Sequence, residues 1–379
     1  INIDGIECIG NKGDTILEIA NKYDIEIPTM CHNEKVEKYG SCGLCVVEVE
    51  GSNKLLRACS IEAMDNMVIY TNTEKVKKNR KTTLELLLTD HRGDCIAPCK
   101  RACPGETDCQ GYVGLVANKQ YREALELVKK DLPFPISIGR VCPHPCEDKC
   151  RRKYIDEPIS IANIKSFIGD NDFKKNINDI FLPEVSKNTG KDVAIIGGGP
   201  SGLTAAYYLL QKGHNVSIFD KMPNMGGMLR YGIPEYRLPK KVLDEEIDII
   251  KKLGADFKNN IEIGRDISFK YIRDNYDAVY LGIGAWESSK LNIENEDCEG
   301  VIGGIDFLRK NILGEKIYTG KKVLIVGGGN TAMDACRTAK RLGAEEVTLL
   351  YRRSREEMPA EEIEIIEAFE EGIKFEFLV

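Results

Sequence analysis

The sequence predicts a multidomain chain. A small β-rich domain spans residues 1–75 and a mainly helical, cysteine-rich domain spans 76–185. A Rossmann-like α/β region follows in two parts, 190–300 and 301–379. Three observations carry this. Residues 193–202 read VAIIGGGPSG, a buried strand running into a glycine turn and an Ala- and Leu-rich helix, and residues 323–336, VLIVGGGNTAMDAC, repeat the arrangement. Of 14 cysteines, eleven fall between Cys31 and Cys150. The length of 379 residues also exceeds what one hydrophobic core usually carries.

Composition narrows the function classes. With 60 acidic against 53 basic residues the net charge is −7, and no long basic run appears, which excludes a nucleic-acid partner. No apolar stretch approaches a membrane span and the first residues lack a secretory pattern, so a cytoplasmic protein is expected. Cysteines in that setting serve metal ligation rather than disulfides. Cys8, Cys298 and Cys336, outside the clusters, read as buried small apolar residues.

In the first domain Ile1, Ile3 and Ile6 begin β-structure, Thr15 to Tyr23 reads as a short helix, and Val46 to Val49 and Met67 to Tyr70 as strands. Cys31, Cys42, Cys45 and Cys59 surround a turn of Gly40, Ser41 and Gly43, whose small side chains let backbone N–H groups approach sulfur. Residue types alone leave an iron–sulfur cluster and a structural zinc both open. The segment PTMCHNEKVEKYGSCGLCVVEVEG, with LRACS, resembles the N-terminal [2Fe-2S] domain of the large iron–sulfur subunit of respiratory complex I and of multimeric hydrogenases. That resemblance implies a β-grasp ferredoxin-like fold and one [2Fe-2S] cluster on the four thiolates.

Glu74 to Leu88 reads as a charged amphipathic connector helix. The second cysteine field follows: His91, Cys95, Cys99, Cys103 and Cys109, then a helix pair over Gly114 to Asp131, then Cys142, Cys146 and Cys150. Prolines at 98, 104, 143 and 145 forbid a continuous helix, so these runs read as loops that wrap a metal site. GDCIAPCKRACP through PFPISIGRVCPHPCEDKC to DEPISIANIKSF resembles the N-terminal domain of the NADPH-dependent glutamate synthase small subunit. Dihydropyrimidine dehydrogenase and the large subunit of the NADH-dependent ferredoxin:NADP+ oxidoreductase belong to the same family.

The resemblance implies two [4Fe-4S] clusters with ligands interleaved between the cysteine runs. The chain departs from the family twice. The cysteine just before Cys95 is missing, and the position of a Gln or Glu ligand falls near Lys165 or Ser166, neither a ligand. His91 and Cys109 would fill the gaps, giving eight ligands whose partition stays open. His91-x3-Cys95-x3-Cys99 is also similar to the cluster held by one histidine and three cysteines in complex I. The alternative for His91 is a solvated histidine after a helix; His144 reads as a packing residue. Asp170 to Gly190 is polar and reads as a linker.

In the first nucleotide unit Gly197, Gly199 and Gly202 occupy the three positions that permit a tight turn, approach to a pyrophosphate and close helix packing, with Pro200 and Ser201 at the helix start. Val216 to Asp220 ends in the acid expected on a ribose hydroxyl, followed by Lys221. Residues 224–240, NMGGMLRYGIPEYRLPK, contain Gly226 and Gly227, which let backbone lie on a ligand, and Arg230 and Arg237, available for phosphates. This stretch resembles the flavin-contacting loop of the glutamate synthase small-subunit family. Lys240 to Leu253 reads as a helix and Ala278 to Leu281 as a strand. The turn after it, with Gly282, Gly284 and Ala285, is similar to the family's return past the flavin.

The second unit has strand Val323 to Val326, Gly327, Gly329, Asn330 and Thr331, with Ala332 in the third position. Helix Met333 to Leu342 and strand Val347 to Leu350 follow. Tyr351-Arg352-Arg353 stands where an NAD site would place a carboxylate, and two guanidiniums there suit the 2′-phosphate of NADP(H). The alternative is a solvated basic turn paired with Glu356, Glu357 and Glu361. YRRSREEMPA again resembles the NADPH-using family. In that architecture the NAD(P) domain is inserted into the FAD domain. The chain starts without methionine and stops partway through the second unit, so an intact protein is expected to run on by about a hundred residues.

These readings point to an iron–sulfur flavoprotein with FAD, NADP(H) or NAD(H), one [2Fe-2S] and two [4Fe-4S] clusters. Its expected partners are ferredoxin or other redox subunits of a multimeric transhydrogenase (bifurcating or not), hydrogenase or formate dehydrogenase. The alternatives are an electron-input subunit of glutamate synthase and a non-catalytic wiring or scaffold subunit. Hydride transfer demands no side-chain acid or base, so none is assigned.

Overall fold

Thr15 starts the first helix as its sequence dictates: its hydroxyl accepts from the Glu18 N–H while the Glu18 carboxylate accepts from the Thr15 N–H. The computed structural model describes residues 1–33, 37–91, 93, 95–174, 179–317 and 319–379. The chain divides into two compact units, Ile1–Cys95 and Ile96–Val379.

The first unit contains β1 (Asn2–Ile3), β2 (Ile6–Glu7), α1 (Ile16–Lys22), β3 (Val46–Val49), β4 (Leu56–Arg57), β5 (Val68–Tyr70) and α2 (Glu74–Thr89). The strands form a mixed sheet in the order β2-β1-β5-β3-β4, with β1 parallel to β5 and the other pairs antiparallel. Helix α1 buries Ile16, Leu17, Ile19 and Ala20 against Ile3, Val47 and Ile69, giving the β-grasp arrangement. Helix α2, expected as a connector, packs on β3 and buries Val76.

The second unit begins with six helices: α3 (Pro98–Ala102), α4 (Cys109–Ala117), α5 (Tyr121–Asp131), α6 (Pro135–Val141), α7 (Pro145–Asp148) and α8 (Ile161–Phe173). The cysteine runs are therefore less loop-like than expected. Pro98 and Pro145 stand in the first turn of α3 and α7, where a missing N–H costs nothing. Cys109 opens α4, capped by Asp108, which accepts from Gly111 N–H. The expected linker starts inside α8, and its residues 175–178 lie outside those described. Farther on it is tied down: Phe181 N–H donates to Asp172, and Ser186 N–H to the Gln211 carbonyl.

The α/β part comprises β6 (Asp192–Ile196), α9 (Pro200–Gln211), β7 (Asn215–Asp220), α10 (Met228–Tyr231), α11 (Lys240–Lys252), β8 (Asp256–Asn259), α12 (Phe269–Asn275) and β9 (Ala278–Leu281). Its four strands run parallel in the order β8-β7-β6-β9, with Val193 opposite both Val216 and Ala278. Then come α13 (Gly304–Ile312), β10 (Lys322–Val326), α14 (Asn330–Arg341), β11 (Glu346–Tyr351), α15 (Glu362–Glu370) and β12 (Lys374–Phe377), with a parallel β10-β11-β12 sheet. Both sheets are of the Rossmann kind. Cys8 and Cys336 are buried as expected, whereas Cys298 is exposed, because it lies in an irregular stretch rather than in a packed element. No helix among the described residues is long and apolar enough to cross a membrane.

Candidate functional site

In the first unit the four cysteines gather as two pairs. The Cys42 N–H donates to Cys31 Sγ at 3.3 Å, and Cys45 Sγ lies 3.2 Å from Cys59 Sγ. Gly40 and Gly43 have positive φ, and a Cβ on Gly40 would meet Ser60 Oγ at 2.7 Å. Burial, with Cys45, Cys31 and Cys42 around it, pushes the Cys59 thiol up. Among the described residues no three His, Cys, Asp or Glu side chains converge as they would on a single metal ion. Two pairs of thiols suit a two-iron cluster better than one tetrahedral zinc. Arg80, which sequence reasoning missed, reaches from α2 to donate to the carbonyls of Leu44 at 3.0 Å and Val46 at 2.8 Å, on both sides of Cys45.

At the end of this unit His91 Nε2 lies 3.2 Å from Cys95 Sγ, so these two candidate ligands are adjacent. In the second unit Cys109 and Cys146 are buried in contact, with Cys99 and Cys103 packed against the same cluster. The bond between them pulls the Cys146 thiol down, helped by Lys165, and pushes Cys109 up. Cys146 and Cys150 also push Cys99 up, after burial, which is the larger cause. Cys142 follows α6 and is half-buried. Lys165 and Ser166 are buried in α8; Ser166 donates to the carbonyls of Ile136 and Ala162, so neither offers a ligand in place of the thiols. His144 adopts a left-handed backbone and caps α7.

The first glycine turn opens a cleft of about 300 Å³ lined by Gly197, Gly199, Pro200, Ser201, Asp220, Gly227, Met228, Gly282, Gly284 and Trp286. Two glycines are required here. Gly197 has φ +107, and a Cβ on it would strike the Gly282 carbonyl at 2.2 Å; a Cβ on Gly202 would strike the Gly197 carbonyl at 1.9 Å. Helix α9 starts at the cleft with no side chain capping its N–H groups, which leaves them for an anion.

The buried Asp220 carboxylate accepts from the N–H groups of Gly198 at 2.6 Å and Met222 at 2.8 Å, so it holds the turn as well as facing the cleft. Gly226 and Gly227 both have positive φ and bring the loop onto Gly199. The Lys221 ammonium stands 5.6 Å from the Trp286 ring. Met228, inside the 224–240 stretch, and Trp286, just after the Gly284 turn, are apolar wall residues of the cleft that were not singled out from the sequence.

Arg230 and Arg237, expected on phosphates, are engaged elsewhere. Arg230 is buried, donates to the Met225 carbonyl at 2.6 Å and pairs with Asp244. Arg237 pairs with Asp334 and Glu364, each at 2.8 Å. Sequence distance hid these partners.

At the second turn Gly327 has φ +138 and Gly329 precedes α14, whose N-terminal N–H groups likewise lack a side-chain cap. Asn330 Oδ1 accepts from the Glu361 N–H at 3.0 Å, tying the turn to α15, and Thr331 stands in the first turn beside it. A Cβ on Gly328 would meet the Tyr351 ring at 2.5 Å, so β11 ends directly against the turn. Arg352 and Arg353 are exposed there, and among the described residues neither makes an ion pair, whereas Arg355 pairs with Glu362.

Three known domain families match this chain: the 2Fe-2S iron-sulfur cluster binding domain over residues 1–74, dihydropyrimidine dehydrogenase domain II (4Fe-4S cluster) over 70–177, and pyridine nucleotide-disulphide oxidoreductase over 191–378. The chain is 44% identical over 288 residues to the NADPH-Fe(3+) oxidoreductase subunit beta of Geobacter sulfurreducens, covering 75% of this chain and 43% of that protein. It is 40% identical over 305 residues to the NADP(+)-dependent formate dehydrogenase subunit beta of Moorella thermoacetica, covering 75% and 43%. With the glutamate synthase (NADPH) small chain of Escherichia coli it shares 38% over 296 residues, covering 74% and 62%. The chain thus spans less than half the length of the first two relatives. The matches bear out the expected fold class and the expected iron–sulfur and dinucleotide cofactors.

Proposed function

We propose, from the premise that this chain belongs to the iron–sulfur oxidoreductase family of the glutamate synthase (NADPH) small chain, with a 2Fe-2S domain ahead of the shared region, that it is the NADP(H)-facing subunit of a larger redox complex. One observation carries the reading: within residues 96–379 the cleft at Gly197 is joined to a second nucleotide turn whose strand end presents Arg352 and Arg353 exposed and, among the described residues, without an ion pair. FAD held by the residues of the first cleft would supply hydride acceptance from a nicotinamide, and clusters held by the cysteines would supply one-electron carriage.

The chain's own residues bind and orient. Gly197, Gly199, Pro200, Ser201, Gly202, Gly226, Gly227 and Gly284, with Asp220 and Lys221, receive FAD. Gly327, Gly329, Asn330 and Thr331 receive the pyrophosphate of the second dinucleotide, and the two arginines its 2′-phosphate. Cys31, Cys42, Cys45 and Cys59 hold the [2Fe-2S] cluster. His91, Cys95, Cys99, Cys103, Cys109, Cys142, Cys146 and Cys150 hold two [4Fe-4S] clusters, with Cys103, Cys109 and Cys146 on the same one.

The partner is another redox subunit or a ferredoxin, within a cytoplasmic transhydrogenase, hydrogenase or formate dehydrogenase assembly, bifurcating or not. The relatives' own names as beta subunits and a small chain support a subunit role. The [2Fe-2S] domain favours such an assembly over a glutamate synthase.

The full-length protein, purified anaerobically, tests this. About ten irons, two plus four plus four, one flavin, and bleaching by NADPH in preference to NADH are expected. About six irons would remove one cubane and its ligands. Full iron with no flavin and no response to either nucleotide would leave only an electron-wiring subunit.

A further inference from the structure

The joint between the flavin half and the dinucleotide half, where α10 also packs on α13, contains buried charge. The flavin half shares an apolar core with the helical region, around Phe134, Ile195, Leu203 and Leu243, whereas the dinucleotide half has its own around Met333, Val347 and Ile365. Between them Tyr236 and Arg237, in the loop from α10 to α11, enter a cavity of about 400 Å³ formed with α14, α15 and Arg140 of α6.

The loop is stiff. The Lys240 ammonium donates to the carbonyls of Leu229, Ile233 and Leu238 at 3.2, 2.6 and 3.0 Å. From that base Arg237 Nη1 donates to Asp334 Oδ2 and Nε to Glu364 Oε1, both at 2.8 Å, and all three side chains are about nine-tenths buried. Glu364 also accepts from Arg337 at 2.8 Å. The Tyr236 ring lies 4.6 Å from the Arg337 guanidinium and 3.9 Å from that of Arg341.

Asp334 stands one turn after Asn330, on the helix whose N-terminus carries the second glycine turn. Whatever holds Asp334 therefore sets the direction in which a dinucleotide bound at that turn extends. Hydride transfer requires reacting atoms about 3–3.5 Å apart, and a displacement of about 1 Å can cost on the order of a hundredfold in rate. Domain joints made of polar contacts are the ones that move.

We propose that Tyr236 and Arg237 form a latch. Arg237 is a positioning residue that fixes α14, and with it the dinucleotide, relative to the flavin cleft. It touches neither phosphate nor flavin. The proposal rests on the function proposed above and names the joint that this function depends on.

The test uses the full-length holoprotein under anaerobic conditions, as wild type, R237A, R237K, D334A and the R237A/D334A double variant. Flavin content, equilibrium affinity for NADP+, melting temperature and the rate constant of flavin bleaching at saturating NADPH are measured. R237A is expected to retain flavin and to bind NADP+ within about threefold of wild type, while bleaching falls about 10- to 100-fold. R237K should recover part of that rate. The double variant should be no slower and should melt no lower than R237A, because R237A already breaks the Asp334 contact together with the one to Glu364.

Loss of flavin in R237A would make Arg237 a flavin ligand and overturn the latch. Weakened NADP+ binding with an unchanged rate at saturation would make it a phosphate ligand and overturn it equally. An R237A protein that bleaches like wild type sinks the latch alone, as does a loss of flavin, iron and melting temperature shared by R237A and R237K. A wild-type protein that neither binds NADP+ nor bleaches sinks the underlying function instead.

Discussion

Arg80 is half-buried and grips the carbonyls on either side of Cys45, which also sets a cation beside that thiol. A reduced cluster carries one more negative charge than an oxidised one, and a fixed cation favours it. R80Q is therefore expected to lower the midpoint potential of the [2Fe-2S] cluster by on the order of tens of millivolts, for about 1 kcal/mol of lost charge interaction. Potentiometric titration followed by EPR measures this. An unchanged potential with a lower melting temperature would reduce Arg80 to a backbone clamp. At this scale, legibility depended on sequence separation. Gly197 and Gly202 answer to a turn built within a few residues, so their spacing alone announced them. Arg237 meets Asp334 97 positions later, and Arg80 meets Leu44 36 positions earlier; no local pattern could reveal either.

Among the elements, α11 and α6 are joined by one carboxylate. Glu246, fully buried on α11, accepts from the N–H groups of Ile136 and Ser137 at 2.8 Å each, at the start of the helix that leads into Cys142. Burial pushes this carboxyl up, against the pull of those N–H groups and of the buried Lys129. E246A would leave two buried N–H groups without their acceptor and remove one of the carboxylates that face Lys129, a cost of about 2–4 kcal/mol. Chemical denaturation should register it, and iron content should fall with it, because α6 sets the position of Cys142. Wild-type stability in E246A would show that apolar packing alone holds the two elements together.

The elements themselves were largely legible from hydrophobic period and glycine punctuation: β6, β7, β10 and β11 fall within a residue of expectation. The short helices α3 and α7 were not, because proline that forbids a helix interior also favours a helix start. Cys298 was misjudged since its neighbours carry no period from which burial could be read.

For the molecule as a whole, residues 96–379 place the flavin half and the dinucleotide half on separate apolar cores, with an ionic seam at Arg237 between them. Within the seam, burial pushes the Asp334 carboxyl from 3.8 up to about 6, with Glu364 adding to the rise and Arg237 and Arg337 opposing it. A folded-state value above the unfolded one means that the folded protein binds this proton more tightly. The corresponding stability is full below about pH 4 and is lost as pH rises through about 6. D334N removes that dependence. On going from about pH 5 to about pH 7, the melting temperature of the wild type should therefore fall relative to that of D334N. Parallel curves would mean that Asp334 is already ionised throughout.

The division of apolar cores has a consequence for how charge travels. Phe134, Ile138 and Val141, at and before the residue that leads into Cys142, and Phe173 of α8 pack into the same core as the flavin half, so the helical region and the flavin half form one block. An electron tunnels through protein at a rate that falls steeply with separation, and a solid block holds that separation constant. A hydride moves only on contact, and the spent nucleotide must then leave. On the function proposed above, the dinucleotide half, with its separate core and its ionic seam, would be the part that closes for contact and opens for release, without altering the distance that the electron crosses.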